Sequence, residues 1–279
     1  MSARRTIGGV LVLGAAIGGC QLAFPFDGYG GSSTSGEPDA AEADAPTGLD
    51  ASSIDAGPTE DAGGFCERIR PTPLFCADFD EGSLIYGWQS LVKKDGSTIA
   101  LDLDASTSGP GSLEVSLPDG NGSADVYLTF NPEIAARKAH VDFDVRVDRF
   151  DPSSNPNAAI CVLAVDFAGG YELRLVTGPL RSYLEEQTTF ADGGITDGPS
   201  YVLSHPISVS TWNHVRIDVV LAPTPSVMVT VGGVVQASGV LGGDWQPGAI
   251  TAIAAGGIFA VNTVAAWTTH IDNVVLANE

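Results

Sequence analysis

Three carboxylates fall on one side of a short segment, Val141-Asp142-Phe143-Asp144-Val145-Arg146-Val147-Asp148. In an extended strand Asp142, Asp144 and Asp148 point the same way, and neighbours two residues apart stand ~6–7 Å from each other. That separation is near the range over which glycoside hydrolysis sets its two carboxyl groups. Arg146 stands on the same face, and a guanidinium cannot give a proton to a leaving group. A solvated polar strand face is the plainer reading of these acids.

Other catalytic patterns are missing from the sequence. There is no G-x-S-x-G, no H-E-x-x-H and no phosphate-binding loop. The four histidines, His140, His205, His214 and His270, are scattered, and His214 reads as a packed or hydrogen-bonded sheet residue. No Cys-x-x-Cys spacing supports zinc. Cys161 sits in Ala159-Ile160-Cys161-Val162-Leu163 and reads as a small buried hydrophobe.

A second kind of chemistry, sugar recognition, needs aromatic faces beside hydrogen-bond acceptors. The stretch from Tyr183 to Tyr201 carries Phe190, Asp192-Gly193-Gly194 and Asp197-Gly198-Pro199. It reads as the longest aromatic-bearing loop between strands, and loops on a rigid scaffold are where binding residues concentrate. Tyr183, Phe190, Asp192 and Tyr201 are the candidate ligand contacts. The plainer alternative makes the tyrosines buried strand ends and the loop unspecialised.

The elements that must position these residues are strands. In Thr211–Leu221 the apolar Val215, Ile217, Val219 and Leu221 alternate with His214, Arg216 and Asp218, the period of a half-buried strand. Pro223 and Pro225 interrupt it, and Val227, Val229 and Val231 resume the alternation, so the pair reads as an antiparallel hairpin. Similar segments recur from Leu74 to Leu276, divided by Gly-rich turns such as Gly109-Pro110-Gly111 and Gly169-Gly170. Only Pro132–Ala139 reads as a short helix. Many strands without βα alternation predict an all-β, two-sheet antiparallel sandwich over residues 65–279.

Composition narrows the partners. The chain has 279 residues, 44% hydrophobic and 17% charged, enough to bury a sizeable core. Its 13 Lys and Arg against 34 Asp and Glu give a net charge of −21, which repels phosphate backbones and excludes nucleic acid as a partner. A monomer is expected.

The N-terminus reads as an address. Arg4 and Arg5 precede an apolar run, Ile7–Gly19, too short to span a bilayer but suited to a signal peptide. Ile17-Gly18-Gly19-Cys20 resembles the lipobox of bacterial lipoproteins. That resemblance implies a signal peptide over 1–19, lipidation of Cys20 and attachment to the bacterial cell membrane, at the outer membrane or cell surface. An ordinary secretory signal with a chance cysteine is the alternative. Residues 20–64 then read as a disordered acidic tether: Asp27–Gly63 holds nine acids and no Lys or Arg among Gly, Ala, Ser and Pro. In an exported, oxidising compartment Cys66 and Cys76, ten residues apart, are expected to form a disulfide.

The order of features in the domain resembles the concanavalin A-like (laminin-G-like, lectin/glucanase) jelly-roll superfamily. The residues that carry the likeness are Phe75-Cys76-Ala77-Asp78-Phe79-Asp80 with Trp88, then Thr211-Trp212-Asn213-His214-Val215, then Ile271-Asp272-Asn273-Val274. The glucanases of this superfamily carry their acids in an E-x-D-x-E strand. Asp142 and Arg146 stand here where both Glu would be, which speaks against that activity. The resemblance also implies a structural calcium ion held by Asp78 or Asp80 together with Asp272. The function expected is a membrane-tethered envelope lipoprotein whose jelly roll binds a glycan or another envelope component without catalysis. A glycan-cleaving hydrolase or lyase of the same fold, and a purely structural envelope module, are the alternatives.

Overall fold

The computed structural model describes residues 64–278, apart from 95, 119–121, 150–157, 243–247 and 262–265. The expected signal peptide, the lipidated Cys20 and nearly all of the tether lie outside the described residues. What is described is a sandwich of two antiparallel sheets, as the alternating sequence pattern predicts.

One sheet has eight strands. Its path runs from β13 (Val234–Val240) through β12 (Ser226–Val231), β11 (Asn213–Val220), β6 (Lys138–Arg149), β15 (Trp267–Asn278) and β4 (Ser112–Leu117) to β3 (Thr98–Asp102). The short β1 (Phe75–Ala77) pairs with the second half of β15, beyond the stretch that pairs with β4. The second sheet has seven strands, in the order β10 (Ile195–Val202), β9 (Ser182–Thr189), β8 (Tyr171–Thr177), β7 (Ala159–Phe167), β14 (Ile250–Val261), β5 (Ser123–Ile134) and β2 (Ser90–Lys94).

The core lies between the sheets, where period-2 patterning places it. Val141, Phe143, Val145 and Val147 of β6 face Leu163, Val165, Leu173, Leu175 and Ile253 across it, all nearly without solvent contact. At one end Trp88 meets Phe75 edge-on, at 4.8 Å between ring centroids, and stacks on Phe79 at 6.4 Å. The aromatics of the opening segment therefore serve packing.

Three sequence expectations need correction. Pro132–Ala139 is not helical: β5 runs to Ile134 and β6 begins at Lys138, and the helix among the described residues is the single turn α1, Phe65–Arg68. The predicted hairpin gains a third strand, because Gly232 and Gly233, both with positive φ, turn the chain back after Val231 into β13. The stretch Tyr183–Tyr201 is not a long loop. It is the β9–β10 hairpin, with a turn confined to residues around Phe190–Gly194. The expected disulfide is present: Cys66 of α1 is joined to Cys76 of β1 with their Cα atoms 5.7 Å apart, which pins the start of the domain onto β15's neighbour. Cys161 is free and buried, and burial pushes its thiol well up from its ordinary range.

Candidate functional site

The outer face of the seven-stranded sheet carries polar residues that the sheet register sets side by side. One row runs Gln187, Glu172, Asp166, Ala252, Thr129 across β9, β8, β7, β14 and β5. The next runs Glu185, Arg174, Ala164, Ala254, Tyr127, Ser90. Asp125 follows beside Gly256 and Val92. Besides Asp166 and, further along, Phe259, the two central strands contribute the small Ala164, Ala252, Ala254 and Gly256, while the flanking strands carry long side chains. Small residues in the middle and tall ones on either side make a trough.

The electrostatics of the trough are those of acids held away from water. Burial drives the Asp166 carboxyl up to about 7, the Glu172 charge adds to this, and Arg174 and the Tyr127 hydroxyl (3.5 Å from Asp166 Oδ2) oppose it. Burial likewise raises Asp125 to about 7 against the attraction of Lys94. Glu185 is raised by burial as well. Arg174 donates to Glu172 at 2.6 Å and lies over the Phe259 ring at 5.1 Å. Its Nε and the Oε1 of Gln187 are buried without a hydrogen-bond partner, although Gln187 Nε2 donates to Asp197 at 3.0 Å. Orphaned polar atoms of this kind are expensive unless something meets them.

The four predicted ligand contacts are not brought together. Tyr183 opens β9 on the outer face with Arg181 over its ring at 5.3 Å, and Phe190 lies just past the strand's other end. They are seven steps apart along the strand, ~23 Å at ~3.3 Å per residue, too far for one sugar. Phe190 is exposed at the hairpin turn, and Asp192 caps the same turn by accepting the Gly194 N–H at 3.0 Å. Tyr201 is a structural residue. Its hydroxyl donates to the buried Glu186 carboxylate and to Val240 O at 2.8 Å, and its ring fills the space over Gly239 that a Cβ would need. Tyr201 and Gly239 thereby close the gap between β10 and β13.

Asp142, Asp144 and Asp148 do share the outer face of the eight-stranded sheet, but each is neutralised. Asp142 lies 3.3 Å from His140 Nε2 and 3.5 Å from Arg216 Nη1. Asp144 accepts from His214 Nδ1 at 2.9 Å, Asn273 Nδ2 at 2.7 Å and Thr107 Oγ1 at 2.7 Å. Asp148 is paired with Arg146 and His270. Hydrogen bonding of its ring to the Asp142 and Asp144 carboxylates raises His214 to about 10, and Asp144 is lowered because its hydrogen bonds outweigh its burial. Carboxylates engaged in these pairs are not left free to face a substrate, so this face is a poor catalytic dyad.

The acids expected to hold calcium are engaged by N–H groups. Asp78 Oδ2 accepts from Cys66 N at 2.8 Å and Asp80 Oδ1 from Gly111 N at 3.3 Å. Asp272 is fully buried; Oδ2 accepts from Thr107 N, Thr107 Oγ1 and Ser108 N, and Oδ1 from Asn273 N. Donors point where calcium's positive charge would sit, and the three acids do not converge as ligands among the described residues. These carboxylates tie the β3–β4 loop and α1 to the sandwich and do not fit a calcium site.

The trough residues Asp125, Tyr127, Asp166, Glu172, Arg174 and Gln187 were not singled out in the sequence. A signal existed for Asp166, the lone charge in the apolar run Ala159–Phe167. The arrangement can accept hydroxyl hydrogen bonds from a polyol and, at Asp166, exchange a proton near pH 7.

No protein-family model matches the chain, and no curated protein matches it. Among solved structures it is similar to an endo-β-1,4-glucuronan lyase from the fungus Trichoderma reesei, with a TM-score of 0.58 and 11% identity over 75% of this chain and 96% of that one. It is also similar to the cellulose-induced protein Cip1, with a TM-score of 0.50 and 14% identity over 73% and 97% of the two chains. At these identities the likeness is one of fold.

Proposed function

We propose that the domain binds a glycan on the outer face of its seven-stranded sheet, and that export and a lipidated Cys20 hold it at the bacterial cell envelope. The observation that carries the binding site is the pair of orphaned polar atoms, Arg174 Nε and Gln187 Oε1, buried at the edge of an alanine-floored trough. Hydroxyls are both donors and acceptors, so a sugar toward which these two side chains turn would satisfy both. The similar fold of an enzyme named for glucuronan and of a cellulose-induced protein supports a polysaccharide as the ligand class.

The charge of the trough argues for an uncharged sugar chain. Asp125, Asp166, Glu172 and Glu185 face it, while the Arg174 charge is taken up by Glu172. A uronate polymer would bring further carboxylates to acids already raised by burial, and the chain as a whole carries −21. A glycan-array screen tests the reading: neutral oligosaccharides bind and polyuronates do not. Binding confined to polyuronates would overturn it.

A catalytic reading has one observation in its favour. Asp166, near pH 7 and beside the Tyr127 hydroxyl, is suited to general acid or base work. If the array ligand is cleaved, new chain ends appear on incubation and Asp166→Asn stops their release while leaving binding in place. Intact ligand after prolonged incubation leaves the binding role alone.

A further inference from the structure

On the opposite face of the sandwich, β3, β4 and β15 bring one histidine and two acids together. The register places Glu114 directly beside His270, and Asp102 two residues further along β3 from Ala100, which pairs with Glu114. One ligand atom from each of Asp102, Glu114 and His270 lies within 4.8 Å of the other two. We infer that these three side chains bind a transition-metal dication of the zinc type.

The state of His270 carries the inference. The residue is 3% exposed, and Trp212 stands edge-on to its ring at 6.2 Å. Its Nε2 lies 3.0 Å from Asp148 Oδ2, and Asp148 is itself paired with Arg146. A proton on Nε2 is therefore well placed, and Nδ1 is then the nitrogen available to a metal. That Nδ1 is buried and makes no hydrogen bond, although Asp102 Oδ2 is only 3.2 Å away. Asp102 Oδ1 is already used by the Asp104 N–H at 2.8 Å, so Oδ2 is the oxygen left facing the ring. A carboxylate oxygen and an imidazole nitrogen held this close need a positive charge between them, and a metal ion meets that need where a ring proton, making no hydrogen bond there, does so poorly.

The geometry suits such an ion. Bond lengths of ~2.0–2.1 Å from zinc to imidazole nitrogen or carboxylate oxygen set tetrahedral ligand atoms ~3.3 Å apart, and the observed Nδ1 to Oδ2 distance is 3.2 Å. A carboxylate on the far nitrogen of a metal-bound histidine, the place Asp148 takes, is the usual outer-shell support for this ligand. Imidazole among the donors favours a borderline metal over calcium or magnesium. Asp102 and Glu114 are partly exposed, which gives the ion a route in and a fourth position for water. Bound there, it would clasp β3 and β4 to β15. The inference is independent of glycan binding on the other sheet.

The full chain, stripped with chelator and dialysed against zinc chloride, is expected to hold one zinc per molecule and to melt higher than the stripped form. Asp102→Asn and Glu114→Gln, partly exposed and near-isosteric, should each weaken zinc at least tenfold in titration calorimetry without altering the melting of the stripped protein by more than a few degrees. Cobalt in place of zinc should give the visible band of a tetrahedral N/O site in wild type and lose it in Glu114→Gln. No zinc uptake at 100-fold molar excess would overturn the inference. Uptake that survives both substitutions would also overturn it, since the ion would then sit elsewhere, for instance near His214, Asp142 and Asp144.

Discussion

Replacing Asp125 by Asn removes one charge from the trough and nothing else of comparable size. Asp125 is 7% exposed on the outer face of β5, between Val92 and Gly256. Gly256 has φ +139, and a Cβ there would meet Ala124 O at 2.6 Å, so the backbones lie close and little water reaches the carboxyl. Its folded-state value of about 7 against 3.8 when unfolded means that the folded chain holds a proton the unfolded chain gives up. Stability is therefore undiminished below pH 3.8, falls as pH rises from 3.8 to about 7, and stays reduced above. About three units at ~1.4 kcal/mol each set a ceiling on the order of 4 kcal/mol. Asn keeps the shape and cannot ionise, so urea unfolding at pH 8 should find Asp125→Asn more stable by roughly 2–4 kcal/mol, with the difference below ~1 kcal/mol at pH 4. A difference independent of pH, or a variant weaker than wild type at pH 8, would refute the claim that the trough desolvates this acid.

Asp166→Asn should behave in the same direction, gaining stability between pH 4 and 7 and keeping the gain above, because its carboxyl is raised as well; urea titrations at three pH values check it. His214 is raised in the folded state, so its contribution is full below pH 6.5 and lost as pH climbs through about 10. Its side chain is 54% exposed, so His214→Ala should cost no more than ~1 kcal/mol at pH 6 and nothing measurable at pH 10.5. Tyr201→Phe leaves the buried Glu186 carboxylate with only the Gly242 N–H and should destabilise by ~1–3 kcal/mol while leaving glycan affinity unchanged. Asp272→Ala strips the Thr107, Ser108 and Asn273 N–H groups of their acceptor and should cost ~3–5 kcal/mol, whereas added calcium should not shift the wild-type melting temperature.

The sandwich was legible because alternation has a direct cause: β6 and β11 bury every second residue, and the sequence shows it. Most strand positions followed from the same alternation, and the Cys66–Cys76 bond from the spacing of the two cysteines and the expected export. Val234–Val240 and Ile195–Val202 were harder to see, since both lie at sheet edges and expose residues such as Val234, Val235 and Val240, which removes the periodic mark. The trough was not legible at all. Asp125, Asp166 and Arg174 come from β5, β7 and β8, and their neighbourhood exists only through the insertion of β14 between β5 and β7, a pairing across roughly a hundred residues of chain. Asp142, Asp144 and Asp148 drew attention because their clustering is local, yet their partners His214, Arg216 and His270 are distant in sequence and cancel them. Tyr201 misled for a similar reason: its acceptors, Glu186 and Val240 O, are brought to it by the hairpin and by β13.

The central claim is that a neutral glycan binds the seven-stranded face through groups left unsatisfied in the folded chain. Titration calorimetry of the best neutral oligosaccharide from an array against wild type, Gln187→Ala, Arg174→Ala and, on the other face, Arg216→Ala addresses it directly, with each melting curve recorded alongside. At least a tenfold loss is expected for Gln187→Ala and Arg174→Ala and no change for Arg216→Ala. Undiminished affinity in the first two, or a loss only in Arg216→Ala, would contradict the claim and move the site to the eight-stranded sheet.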